Sequence, residues 1–198
     1  TLIQGCNNTK IPSGVTKIGS FAFDGCSGLT DIEIPPSVTS IGEAAFSDCS
    51  GLTRIEIPSS VTSIGVDAFW NCSGLTGIEI PSSVMSIGEG VFRGCSGLTG
   101  IEIPSSVTSI GRSAFSDCSG LTSIVVEAGN TVYDSRDNCN AIIEKETNTL
   151  IQGCKNTKIP AGVTSIGEYA FSGCSGLTST EIPAGVTSIG SEAGRDGR

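Results

Sequence analysis

A sentence of 23 residues, repeated almost verbatim, governs what this chain can fold into. Residues 34–56 read IPPSVTSIGEAAFSDCSGLTRIE, 57–79 read IPSSVTSIGVDAFWNCSGLTGIE and 80–102 read IPSSVMSIGEGVFRGCSGLTGIE. A short fixed period means a solenoid, because each unit is too small to bury its apolar side except by stacking on its neighbours. Other full copies begin at Ile11, Ile103 and Ile159, and a shortened one at Ile182. The whole of 1–198 therefore reads as one continuous stack. Aromatic residues make up only 5% of the chain, so the core is expected to be aliphatic columns plus one ring column: Phe23, Phe46, Phe69, Phe92, Phe115 and Phe171.

The period breaks once, at an insert spanning 126–158. Within it AIIEKETNTLIQ (141–152) places two apolar runs around a polar KETN turn, the pattern of a β-hairpin. The opening TLIQGCNNTKIP (1–12) matches TLIQGCKNTKIP (149–160) at all but one position. Residues 1–10 thus read as the tail of a preceding insert of the same kind. At the other end Gly194 stands where the repeat has Phe, and RDGR follows.

Each copy divides into three pieces. The stretch L-T-x-I-E-I (29–34 and equivalents) alternates as a short strand, with Leu29, Ile32 and Ile34 inward and Thr30 and Glu33 outward. Proline follows at once and stops it. Val38 and Ile41 supply a second extended inward edge, closed by Gly42. The spacing of Ala45, Phe46 and Cys49 then predicts a helical turn, with the following Ser-Gly as its C-terminal cap. The fold class is an α/β solenoid: parallel strands about 4.8 Å apart on one face, helical turns and short strands on the other, and one hairpin insert.

Composition narrows the function. The net charge is −9 and the 11 basic residues are scattered, which disfavours nucleic acid and anionic membrane surfaces. No apolar run approaches the ~20 residues of a membrane-spanning helix. With no histidine there is no Ser-His or Cys-His pair and no imidazole ligand. No catalytic residue, cofactor site or metal site is assigned, and the chain reads as non-enzymatic. The column Cys26, Cys49, Cys72, Cys95, Cys118 and Cys174 lacks the close pairs of a zinc site and reads as buried free thiols. For Cys139 and Cys154, in the irregular insert, a bridge and two free thiols both stand open. DSRDNCN (134–140) offers clustered oxygens but lacks the Gly and Glu of an EF-hand loop, and reads as a turn.

The pattern L-x-x-I-x-I-P followed by V-x-x-I-G-x-x-A-F-x-x-C resembles the leucine-rich repeats of BspA-like (Treponema pallidum-type) proteins. Two departures stand out: Pro-Ser-Ser replaces the Asn usual after the strand, and Thr180 takes an inward position held elsewhere by Ile32, Ile55, Ile78, Ile101 and Ile124. The resemblance implies a right-handed leucine-rich-repeat superhelix. It also implies a surface-attached or secreted microbial protein that adheres to a protein partner, a host matrix protein or a neighbouring-cell surface protein.

The candidate recognition surface is the outward side of the L-T-x-I-E-I stretch. It comprises the threonines Thr30, Thr53, Thr76 and Thr99, the glutamates Glu33, Glu56, Glu79, Glu102 and Glu181, and the variable position between them: Asp31, Arg54, Gly77, Gly100, Ser123 and Ser179. Like charges about 5 Å apart repel by ~1 kcal/mol in water, so packing alone does not call for a glutamate row. An acidic stripe for a basic partner or a cation is one reading; a solvated row copied with the repeat is the other. Two further functional readings stand beside adhesion: a structural spacer that self-associates through uncapped terminal coils, and an intracellular scaffold or effector.

Overall fold

The computed structural model describes residues 1–175, 177 and 181–194. Ser179, Thr180 and the tail 195–198 lie outside them. Successive 23-residue turns of chain stack directly, as the backbone shows: Thr39 N donates to Thr16 O (2.8 Å), Thr62 N to Thr39 O (3.0 Å) and Thr53 N to Thr30 O (3.1 Å). The strands are β1 (Lys17–Ile18), β2 (Ser40–Ile41), β3 (Ser63–Ile64), β4 (Ser86–Ile87), β5 (Gly100–Ile103), β6 (Ser109–Ile110), β7 (Ser123–Val126), β8 (Tyr133–Asp134), β9 (Ala141–Glu144), β10 (Thr149–Gly153), β11 (Ser165–Ile166) and β12 (Ser188–Ile189).

The regular parallel sheet lies at V-T-S-I-G, in the order β1-β2-β3-β4-β6, with Ile18, Ile41, Ile64, Ile87 and Ile110 in register. The L-T-x-I-E-I stretch has the expected burial, with Leu29, Ile32 and Ile34 inward. Among the described residues, however, it pairs as a strand only at β5–β7, with a single bridge at Glu33–Glu56. The reason is one N–H. Glu127 occupies the repeat's proline position, and its N–H donates to Ile103 O at 2.9 Å, closing the ladder. Elsewhere that position is proline, which has no N–H to give.

The helical turn expected at A-F-x-x-C is not formed; among the described residues there is no α-helix, only a 3₁₀ turn at Arg136–Asn138. A helix would use its N–H groups within one coil. Here alternate N–H groups reach the next coil: Ala44 N to Val66 O (2.9 Å), Phe46 N to Ala68 O (2.8 Å) and Asp48 N to Trp70 O (2.8 Å). The groups between them close tight local turns, as Ser47 N does onto Ala44 O (3.2 Å). This zigzag needs left-handed residues at two places per coil, Ala44 and Asp48 in this copy. At the second place the repeats carry Gly25, Asp48, Asn71, Gly94, Asp117 and Gly173, the residue types that accept positive φ most readily.

The core is columnar. The rings of Phe23, Phe46, Phe69, Phe92 and Phe115 stack at 5.0, 5.4, 5.7 and 5.5 Å between centroids. Phe171 does not continue this stack, because the insert intervenes and Gly153 packs against its ring. Beside the rings runs a thiol ladder: Cys49, Cys72, Cys95 and Cys118 each donate Sγ–H to the phenylalanine carbonyl of the coil before, at 3.0–3.2 Å. Burial raises the Cys49 thiol to about 12 and pushes Cys72, Cys95 and Cys118 well above their ordinary value. Exposed Cys6 is the opposite case, lowered by hydrogen bonds from Thr9 and the Asn8 backbone. Limited alkylation of the folded chain at neutral pH should therefore mark Cys6 first, with the four ladder thiols reacting only on unfolding; peptide mass mapping reads this out.

The hairpin is present as β9 and β10, antiparallel, within a second sheet ordered β12-β11-β10-β9-β8. Strand β10 rejoins the parallel stack through β11, pairing Leu150 with Ile166. The start of the chain repeats this arrangement. Leu2 pairs with Ile18, Gly5 N donates to Ala22 O as Gly153 N does to Ala170 O (2.7 Å each), and Cys6 N and Cys154 N bond Thr9 and Thr157 hydroxyls at 2.7 Å each. Cys139 and Cys154 are free thiols, each directed to a backbone carbonyl. Asp134 pairs with Arg136 at 2.8 Å, so its carboxylate serves the turn.

Candidate functional site: an outward ribbon on the L-T-x-I-E stretch

Three inward side chains pin this ribbon in a coil: Leu52, Ile55 and Ile57 in one, Leu98, Ile101 and Ile103 in another. Alternation then forces the residues between them outward. Thr30, Asp31 and Glu33 are exposed, as are Thr53, Arg54 and Glu56, Thr76 and Glu79, and Thr99 and Glu102. The ribbon thus carries, coil after coil, a threonine, a changing residue and a glutamate.

The threonines are already engaged. Thr53, Thr76, Thr99 and Thr122 each donate their hydroxyl to the threonine carbonyl of the preceding coil, at 3.0–3.3 Å. Their hydroxyl hydrogens therefore tie coils together, and the changing residue and the glutamate are the outward groups beside them. Glu33 and Glu56 sit directly opposite each other across the bridge. Two shallow grooves flank this row. One, of about 570 Å³, runs along Asp31, Glu33, Pro36, Arg54 and Glu56; the other, of about 430 Å³, runs along Glu79, Ser82, Glu102, Pro104 and Glu127.

The row is shorter than its sequence register suggests. Glu102 faces exposed Val125, and Lys158 holds the glutamate position in front of Ile159. Glu181 is exposed but lies beyond these two, apart from the run of four. Glu127 is the residue that sequence reasoning missed. It edges the second groove, and its carboxylate accepts from Ser105 N at 2.6 Å, which holds it below its usual range. The signal was available: it is the one place between full copies where the proline is replaced. Trp70 is exposed on the zigzag side, not on the ribbon.

Comparisons with known proteins agree with this architecture. A family model described as BspA type Leucine rich repeat region matches residues 4–140 and 141–193, in six copies. Among solved structures, a leucine-rich repeat protein from Eubacterium ventriosum is 28% identical, with a TM-score of 0.79 over 93% of this chain and 50% of that one. A leucine rich cell surface protein from Faecalibacterium prausnitzii is 35% identical, with a TM-score of 0.71 over 91% and 56%. The pneumococcal vaccine antigen PcpA is 27% identical, with a TM-score of 0.78 over 92% and 46%. The chain spans about half the length of these structures. No curated protein matches it. Among the described residues no helix is long and apolar enough to cross a membrane.

Proposed function

The chain belongs to the BspA-type leucine-rich-repeat family, and we propose that it is a non-enzymatic protein-recognition or adhesion module, one continuous solenoid of a microbial surface or secreted protein. The observation that carries this reading is the ribbon itself: a backbone locked by threonine and isoleucine columns that, over four consecutive coils, presents one changing residue per coil beside a glutamate. A rigid, repeated frame that displays a varying exposed column is suited to reading a partner, since little ordering entropy opposes binding. Relatives described as a cell surface protein and as a vaccine antigen support the surface setting.

The partner face is expected to be basic. Glu33, Glu56, Glu79 and Glu102 form an unbroken acidic run with Arg54 beside it and Lys10 and Lys158 at the same repeat position outside it, and complementary charge steers and holds such encounters. The test is direct binding of the chain to a panel of matrix and cell-surface proteins, beside a variant in which those four glutamates become glutamines. Saturable binding that the variant loses by roughly tenfold or more, and that weakens with salt, is the expected result. Equal binding by both forms would remove the acidic ribbon from the account.

A further inference from the structure

The hairpin leaves an opening on the zigzag side of the solenoid. Between ordinary neighbours this side has three rungs, as from Gly90 N to Arg112 O (3.0 Å), Phe92 N to Ala114 O (2.9 Å) and Gly94 N to Ser116 O (2.9 Å). At the next junction one rung survives, Asp117 N to Ser172 O at 3.1 Å. The rungs due from Ser113 and Phe115 are absent among the described residues. The carbonyl of Ala170, due to meet Phe115 N, instead accepts Gly153 N (2.7 Å) and Gln152 Nε2 (3.1 Å) from the hairpin. One end of the junction is pinned tightly: a Cβ on Gly173 would lie 2.4 Å from Asp117 Cα. The other end splays, with a space of about 340 Å³ beside Ser113, Phe115 and the hairpin's Gln152, and a separate cleft of about 530 Å³ runs across the junction from Asp67 and Glu89 to Ser116, Tyr169 and Ser172.

Ser116 lines this cleft. It is only 2% exposed, and its Oγ is buried without a hydrogen-bond partner. Ser172, at the same repeat position one coil on, does have one, Asp117 Oδ1 at 3.2 Å. A buried hydroxyl left unpaired is costly, which marks a place where a polar ligand atom fits. The charges around it favour one sign. The two arginines of the cleft are already engaged: Arg112 with Glu168 (2.9 Å) and across the Tyr169 ring (5.1 Å), Arg93 with Asp117 (3.6 Å). Asp67 and Glu89, which also line the cleft, form no ion pair among the described residues. Asp67 Oδ1 occupies the space a Cβ of residue 90 would need, so Gly90 is what lets this carboxylate lie on the cleft wall. Burial raises the Asp67 carboxyl above its usual range, with the Arg93 charge opposing the rise and the Glu89 and Glu43 charges adding to it.

We propose that this cleft binds a basic side chain of a partner polypeptide, its ammonium or guanidinium held by Asp67 and Glu89 and donating to Ser116 Oγ. It is a second recognition site, on a different side of the solenoid from the glutamate ribbon. The test is an NMR titration of the whole chain with capped Gly-Lys-Gly and Gly-Arg-Gly peptides, with capped Gly-norleucine-Gly as the uncharged control. Saturable shifts of the Ser113, Ser116 and Tyr169 amides with the basic peptides alone are expected, and Ser116→Ala and Asp67→Asn should each weaken them by about tenfold. Ser116→Ala removes a buried group that makes no bond, so its Tm should match or exceed the parent's and keep this arm interpretable. Equal shifts with norleucine, no saturable shift, or unchanged affinity in a folded variant would overturn the proposal, the last by leaving Ser116 to bind water only. The four-glutamate ribbon variant should titrate like the parent here, which separates failure of this site from failure of the ribbon.

Discussion

Phe69→Ala is expected to lower the unfolding free energy by about 3–5 kcal/mol. The ring is fully buried and stacked on both sides, at 5.4 Å from Phe46 and 5.7 Å from Phe92. Its removal leaves a cavity that the flanking coils cannot close, because their spacing is fixed by ladders on three sides. The position adds a second effect. In a one-dimensional stack, stability is a sum over neighbouring contacts, and a gap in the middle uncouples the two halves. Urea unfolding followed by Trp70 fluorescence and by far-UV circular dichroism should show coincident transitions for the parent and earlier, separated transitions for the variant. A loss below about 1 kcal/mol would mean that the columns are loosely packed.

The second large effect is a reversal of sign between two glycines three residues apart. A Cβ on Gly74 would lie 2.5 Å from Ser50 O, a backbone atom of the preceding coil. Since φ at Gly74 is not left-handed, alanine would ordinarily be tolerated or mildly stabilising. Here it must push two coils apart, and a loss of about 1–3 kcal/mol or more is expected. Gly77 meets nothing within 4 Å and also lacks a positive φ. Gly77→Ala should therefore be neutral or raise the Tm slightly. Thermal melts of the two variants decide it; matching melts would refute close coil contact at the Ser-Gly step.

That Ser-Gly step shows what a repeat sequence conveys and what it leaves out. It was legible as a constraint, but a helix cap was the wrong mechanism: the glycine is needed because the preceding coil's backbone passes too close for a side chain. The inward positions Leu29, Ile32, Ile34, Val38 and Ile41 were all legible, since alternation reports burial. Which of the two extended stretches carries the regular sheet was not, because burial does not say where an N–H finds its acceptor. Proline after Ile34 and its equivalents decided that, with Glu127 as the exception that proves the mechanism. On the third side the spacing of Ala45, Phe46 and Cys49 fits one helical turn and one zigzag equally well. The discriminating clue was the Gly, Asp and Asn series at 25, 48, 71, 94 and 117, which is a backbone requirement.

The same distinction applies to the sites. The outward residues Asp31, Arg54, Glu33, Glu56, Glu79 and Glu102 could be listed from the repeat alone, because their exposure follows from pleat geometry. That the threonine hydroxyls bond the coil before, and that Val125 and Lys158 separate Glu181 from the others, needed the stacking register. The cleft at Ser116 had no signature within any single repeat. It arises where an insert meets a repeat, and only the lost rungs at Ser113 and Phe115 disclose it.

The most direct test of the recognition account is carboxyl footprinting of the chain with and without a partner captured from the binding panel. Labelling at Glu33, Glu56, Glu79 and Glu102 should fall in the complex, with Glu146 at the hairpin turn unchanged as the internal reference. Unchanged labelling along the ribbon, with protection at the hairpin or the V-T-S-I-G sheet instead, would contradict it.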